Sequence, residues 1–64
     1  MKFTDMDMLQ DYEKDARMAA VAYTIMATET HDRALRSLFL SMAHSAGESQ
    51  ARTAAFIMKK GDRP

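Results

Sequence analysis

The feature that most constrains this chain is the stretch from residue 35 to residue 58, which is predicted to form one long helix with two apolar sides. At about 100° of rotation per residue, its apolar residues fall into two stripes that lie roughly opposite each other. The first stripe has mainly large side chains: Leu35, Phe39, Met42, Ala46, Thr53 and Ile57, flanked by Leu38 and Phe56. The second has mostly small ones: Leu40, His44, Gly47, Ala51, Ala54 (or Ala55) and Met58. We predict that the large-residue stripe packs within the chain and that the small-residue stripe contacts a second copy.

A first helix is predicted over about residues 5–28. Thr4 and Asp7 have the spacing of a capping box, which satisfies free amides at a helix start. The main apolar stripe of this helix is Leu9, Tyr12, Ala16, Ala19, Tyr23 and Met26. Three further apolar residues lie away from that stripe: Met18, Val21 and Ile25. A helix that is apolar on two sides is usually covered on two sides, so we assign these three to the interface with another copy.

The predicted break falls between Thr28 and Asp32. Threonine is a weak helix former, and Thr30 is expected to cap a second helix that begins at about residue 32, leaving residues 29–31 as the turn. Helix 2 is predicted to end near residue 60, where Lys59 and Lys60 precede Gly61. One continuous helix remains an alternative, because neither glycine nor proline interrupts the region.

The length of the chain argues for a fold completed by association. A chain of 64 residues makes one domain or part of one; we predict a single helical hairpin over residues 1–64, and a core of this size is marginal without a disulfide, a metal or a partner. Cysteine is absent from the sequence. We therefore predict an all-α fold, an antiparallel two-helix hairpin that self-associates into a four-helix bundle as a dimer or tetramer.

Charge and hydropathy exclude several kinds of partner. Nine basic and nine acidic residues balance, which argues against nucleic acid binding. No apolar run approaches the ~20 residues needed to cross a bilayer, so no membrane association is expected. The N-terminal segment lacks the apolar core of a signal peptide, and a cytoplasmic protein is expected.

Several short motifs resemble those of a known family. They are the acidic opening of residues 5–11, Lys14, Tyr23, Thr28-Glu29-Thr30, Leu35-Arg36 and Met58-Lys59-Lys60-Gly61. In these motifs the chain resembles the coat F family of bacterial spore coat proteins, from about Asp5 to Gly61. The resemblance implies a ferritin-like helical domain, a location in the spore coat and contacts with other coat proteins. The chain departs from the family after Gly61, where relatives usually continue with Trp or Tyr.

A ferritin-like bundle raises the possibility of a metal site. A di-iron site needs glutamates and Glu-x-x-His motifs that converge inside the bundle. Here the corresponding string is Ser41-x-x-His44, which lacks the bridging carboxylate. The remaining weak candidates for metal ligands are Glu13, His44 and Glu48. We predict no metal, no cofactor and no catalytic residue, and expect His44 to hydrogen-bond at an interface, for example to Glu48. A pairing of two copies of His44, as a Zn²⁺ or Ni²⁺ site or a pH switch, stays open.

Three functions therefore compete. The first is a non-enzymatic structural protein that assembles through its own helices. The second is a ferritin-like metal protein in which association gathers Glu13, Glu29, His44 and Glu48. The third is a small helical interaction module whose small-residue stripe packs against a different protein. Gly47 favours the first, because glycine costs about 1 kcal/mol in a helix interior and its spacing to Ala51 suits a close crossing of helices.

Overall fold

The structure, a computed structural model, describes residues 4–64 and consists of two helices in that range. Helix α1 spans Asp5–Glu29 and α2 spans Arg33–Lys59, and the two pack against each other as a hairpin. The predicted all-α hairpin is thereby confirmed, and the alternative of one continuous helix is wrong. The Cα atoms extend over 43 × 25 × 12 Å, so the hairpin is a slab only one helix thick.

The start of α1 carries the capping box that its sequence indicates. The hydroxyl Oγ1 of Thr4 accepts a hydrogen bond from the backbone amide of Asp7, and Oδ2 of Asp7 accepts one from the amide of Thr4, both at 3.0 Å. Asp5 and Asp7 also place negative charge in the first turn, where the helix dipole favours it.

The turn differs from expectation in its capping residue. Asp32, and not Thr30, caps α2: its Oδ1 accepts from the amide of Leu35 over 2.8 Å. Thr30 instead ends α1, and its hydroxyl accepts from the amide of Asp32 over 3.2 Å. The carbonyl of Thr30 then accepts from Nη2 of Arg36 at 2.9 Å. The carbonyl of Thr30 is thus satisfied by a side chain from the first turn of α2. The hydroxyl of Thr30 is engaged by the amide of Asp32, so the carboxylate of Asp32 caps that helix.

The end of α2 is closed by Gly61. Its φ of 89° lies in the left-handed region that favours glycine. The amide of Gly61 donates to the carbonyl of Met58 over 3.0 Å, and that of Asp62 donates to Ile57 over 3.2 Å. These two bonds form a Schellman motif, which satisfies two of the free carbonyls at the helix end.

The seam between the helices contains few fully buried side chains. Among the described residues, the buried ones are Glu13, Ala27, Ala54 and Ile57, and of these Ala54 is 9% exposed. The half-buried residues around them include most of the large-residue stripe, namely Phe39, Met42, Ala46 and Thr53. Leu35, assigned to the same stripe, is 41% exposed. A core this thin is typical of a structure with one layer of helices, because a stable interior normally needs two layers.

The buried side of α1 is rotated relative to the stripe predicted for it. Tyr12 and Met26, expected in the seam, are 55% and 45% exposed, whereas their chain neighbours Glu13 and Ala27 are buried. Within the range 4–64, neither helix combines the length and the apolar composition that a bilayer-crossing segment requires.

Candidate interaction surface

One face of the slab carries most of the residues that the sequence assigns to a contact with another copy. We call it the small-residue face: it is formed by Val21 of α1 with Leu40, His44, Gly47, Ala51 and Met58 of α2, and Ile25 and Met18 continue from Val21 toward the outer edge of α1. All of these are exposed except Gly47, which is half-buried. Leu40 and Met58 are separated by about five full helical turns, so they point in the same direction.

A groove between the helices places the two halves of this face on the same side of the slab. It has a volume of about 420 Å³ and is lined by Ala27 and Thr28 of α1 and by Arg36 and Leu40 of α2. Thr28 follows Val21 by about two helical turns, so the two residues lie on the same side of α1. Val21 and Leu40 consequently face the same way.

A second groove runs along the outer side of α1, next to Val21. Its volume is about 480 Å³, and its lining residues are Lys14, Arg17, Met18, Val21, Ala22 and Ile25. The apolar part of the groove is open to solvent, and two cations lie at one end. Such a shallow apolar groove on a helix is the shape that receives the side chains of another helix.

Gly47 lies in the middle of this face on α2. A Cβ atom added there would meet no atom within 4 Å, so no part of the hairpin approaches this glycine closely. The helix-propensity cost of about 1 kcal/mol is therefore not offset by close packing inside the chain.

Ala54 departs from the predicted interface. It is only 9% exposed and lies in the seam of the hairpin, so it is not available to another copy. The physical reason is its position three residues before Ile57, which is fully buried. Residues three apart lie on the same side of a helix, so Ala54 also faces the seam. Ala55, the alternative at this step of the stripe, is exposed.

The opposite face of the slab is also apolar. We call it the aromatic face, and it consists of Met8, Tyr12, Met26, Leu35, Leu38 and Phe56, which are 41 to 55% exposed. Leu38 and Phe56 are again about five turns apart on α2, but on the other side of the helix from Leu40 and Met58. The ammonium of Lys60 lies 5.2 Å from the centre of the Phe56 ring and covers part of it.

Glu13 is the one buried charged group among the described residues, and the sequence analysis did not anticipate its burial. Its Oε2 accepts from Nε2 of Gln50 over 2.7 Å. Its Oε1 lies 3.3 Å from Nη2 of Arg17, an ion-pair distance without hydrogen-bond geometry. Seven-residue spacing on each helix is the signal that could have revealed the pair. It places Glu13 in line with Met6, Ala20 and Ala27, and Gln50 with Ala43 and Ile57.

The metal candidates do not converge within the hairpin. Nε2 of His44 lies 2.6 Å from Oε1 of Glu48, the residue that the sequence analysis names as an example of its partner. Both side chains are largely exposed. Arg52 approaches the other oxygen of Glu48 at 3.5 Å. Glu13 lies in the seam and is bound by Gln50 instead. Across residues 4–64, no group of three or more His, Asp or Glu side chains is placed to hold a metal ion.

The hairpin exposes more surface than a compact protein of its mass. Its accessible surface is 5038 Å². A compact monomer of 7.2 kDa exposes about 4,100 Å², which leaves an excess of roughly 900 Å². A specific protein interface of standard size buries about 800 Å² on each partner. The excess is therefore large enough for one such interface.

Comparison with known families identifies the chain. Residues 4–63 match the family described as the Coat F domain, which is nearly the whole chain. Neither the curated proteins nor the solved structures contain a significant match. The chain belongs to the Coat F family, and the predicted family resemblance is confirmed.

Proposed function

We propose that this Coat F protein is a non-catalytic structural component of the bacterial spore coat. In this proposal it acts by self-association, and the small-residue faces of two hairpins pack together into a four-helix bundle. The family supplies the biological setting, and the exposed apolar face supplies the physical reason for association.

The observation that carries the proposal is the excess of accessible surface. A slab one helix thick has no second layer to cover its apolar side chains, and another copy of the same slab provides that layer. In the proposed pairing, Leu40 and Met58 of one copy would lie against Val21 and Ile25 of the other, beside the apolar groove of α1. The open space around Gly47 allows the backbones to approach closely.

Absolute mass in solution tests the proposal. Light scattering at low micromolar concentration is expected to give twice 7.2 kDa or a higher multiple for the wild type. Gly47→Leu should give a mass close to that of one chain, because the new side chain fills the space that the partner needs. Its helicity by circular dichroism should not fall, because leucine is a better helix former than glycine.

Ser41→Leu is the matched control. Ser41 is exposed on the outer edge of α2, away from both apolar faces, so the same large side chain there should leave the mass unchanged. A wild-type chain that is folded and monomeric would overturn the proposal. A Gly47→Leu variant with wild-type mass would overturn the assignment of the interface.

A further inference from the structure

We infer that the aromatic face is a second self-association surface, on which another copy docks with its own aromatic face. This inference rests on the proposed function, since it adds a second contact to the pairing through the small-residue face. Alternating contacts of the two kinds would join hairpins into an open stack of layers.

The first argument is the shape of the hairpin. Its Cα atoms span only 12 Å in the thinnest direction, and large apolar side chains are exposed on both sides of that layer. A dimer formed through the small-residue faces covers one side of each copy. The residues of the aromatic face, such as Tyr12, Leu38 and Phe56, then remain on the two outer surfaces of the dimer.

The second argument is the area that one interface leaves uncovered. Two chains of 5038 Å² would still expose roughly 8,500 Å² after forming an interface of standard size. A compact protein of twice 7.2 kDa exposes about 6,800 Å². The dimer would thus keep an excess of roughly 1,700 Å², or about 800 Å² on each outer face, which again equals one side of a standard interface.

The third argument concerns where the side chains lie on this face. Because Glu13 meets Gln50, Phe56 lies level with the first turns of α1, and Leu38 lies level with its last turns. The apolar residues therefore form two clusters, one at each end of the slab. Every copy carries both clusters on the same face, which is what a twofold contact between identical faces requires.

The two contacts differ in expected strength. The aromatic face offers two separated clusters, one of them partly covered by Lys60. Its large side chains keep the backbones of two docked copies apart. The small-residue face permits close approach of a second backbone at Gly47. The aromatic contact should therefore form at higher protein concentration than the first dimer.

Sedimentation velocity over a wide concentration series separates the two surfaces. The wild type should pass from dimer to tetramer and larger even-numbered species. Leu38→Glu should remain a dimer at concentrations where the wild type is already a tetramer, because a charge placed in the contact weakens the further association about tenfold or more. Gly47→Leu should pass from monomer to dimer and stop there, because it keeps only the aromatic contact.

Ser41→Glu is the control for charge, since it adds the same carboxylate at an exposed site of α2 outside both faces. Phe56→Glu tests the other cluster, and circular dichroism checks that each variant is helical. A wild type that remains a dimer at all concentrations overturns this inference and leaves the proposed function standing. A monomeric wild type overturns both. Larger species that persist in both Leu38→Glu and Phe56→Glu overturn the assignment to the aromatic face.

Discussion

Glu13 and Gln50 join the two helices through the interior of the seam, where the amide Nε2 of Gln50 donates to the carboxylate Oε2 of Glu13 over 2.7 Å. The two residues are 37 positions apart in the chain, and Glu13 is only 1% exposed. A buried carboxylate depends on such a donor, because removal of Gln50 leaves Oε2 of Glu13 without a hydrogen bond, and only the ion pair of Oε1 with Arg17 remains.

Gln50→Leu is expected to lower the free energy of unfolding by about 2–3 kcal/mol, because it removes the hydrogen bond to a buried charged group. The double variant Glu13→Leu with Gln50→Leu should recover most of that loss, since an apolar pair leaves no unsatisfied group. Urea denaturation followed by circular dichroism measures both, at one fixed protein concentration because the proposed self-association would add to stability. A double variant no more stable than Gln50→Leu would show that the loss has another origin.

The turn gives a comparison between two capping residues. Asp32→Ala should destabilise the chain by about 1 kcal/mol, because it removes the acceptor for the free amide of Leu35 at the start of α2. Thr30→Ala should cost less, since its hydroxyl accepts only the amide of Asp32, which precedes the helix. Urea midpoints of the two variants decide the order, and equal losses would argue against Asp32 as the cap.

Substitutions at Gly61 test how much the Schellman motif at the C-terminal end of α2 contributes to stability. Its φ of 89° is unfavourable for a residue with a Cβ atom, so Gly61→Ala should cost about 1 kcal/mol. Gly61→Asn should cost less, because asparagine tolerates this backbone conformation better than alanine. Thermal unfolding of the three proteins should follow the order Gly, Asn, Ala. If alanine is as stable as glycine, the Schellman motif does not contribute to stability.

The capping box of α1 can be tested with a matched pair of threonines. Thr4→Ala should lose about 1 kcal/mol, because the Asp7 amide loses its acceptor. In Thr24→Ala the lost hydroxyl donates to the carbonyl of Ala20 inside the helix, and alanine there favours helix formation. That control should be neutral or slightly stabilising. A loss in Thr24→Ala as large as that in Thr4→Ala would indicate a general effect of removing threonine.

Local signals in the sequence were sufficient to predict the hairpin. The capping box at Thr4, the weak helix formers near residue 30 and the glycine after two lysines depend only on neighbours within about four residues. The choice between Thr30 and Asp32 as the second cap could not be made in this way. Either side chain can cap a helix, and the outcome follows the path of the turn, in which Arg36 binds the carbonyl of Thr30.

The hydrophobic stripe alone did not predict the rotation of α1, because a hydrophobic pattern counts glutamate as solvent-facing, and only the seven-residue alignment of Glu13 with Ala20 and Ala27 hints at its burial. Glu13 is buried only because Gln50 reaches it from the other helix, and that pairing is a tertiary contact. The same rotation leaves Tyr12 on the surface. On α2, Ala54 and Ala55 are chemically alike, and only the packing against α1 decides which of them is enclosed.

The thinness of the slab also affects how the protein opens. Within residues 4–64 neither helix has a third element behind it, so separation of α1 from α2 exposes Ala27 and Ile57 in a single step. Amide protons along the seam should therefore exchange with solvent deuterium at the rate of whole-chain opening. In the proposed assembly a partner copy opposes this separation, so the lifetime of the folded hairpin should increase with protein concentration and decrease on dilution.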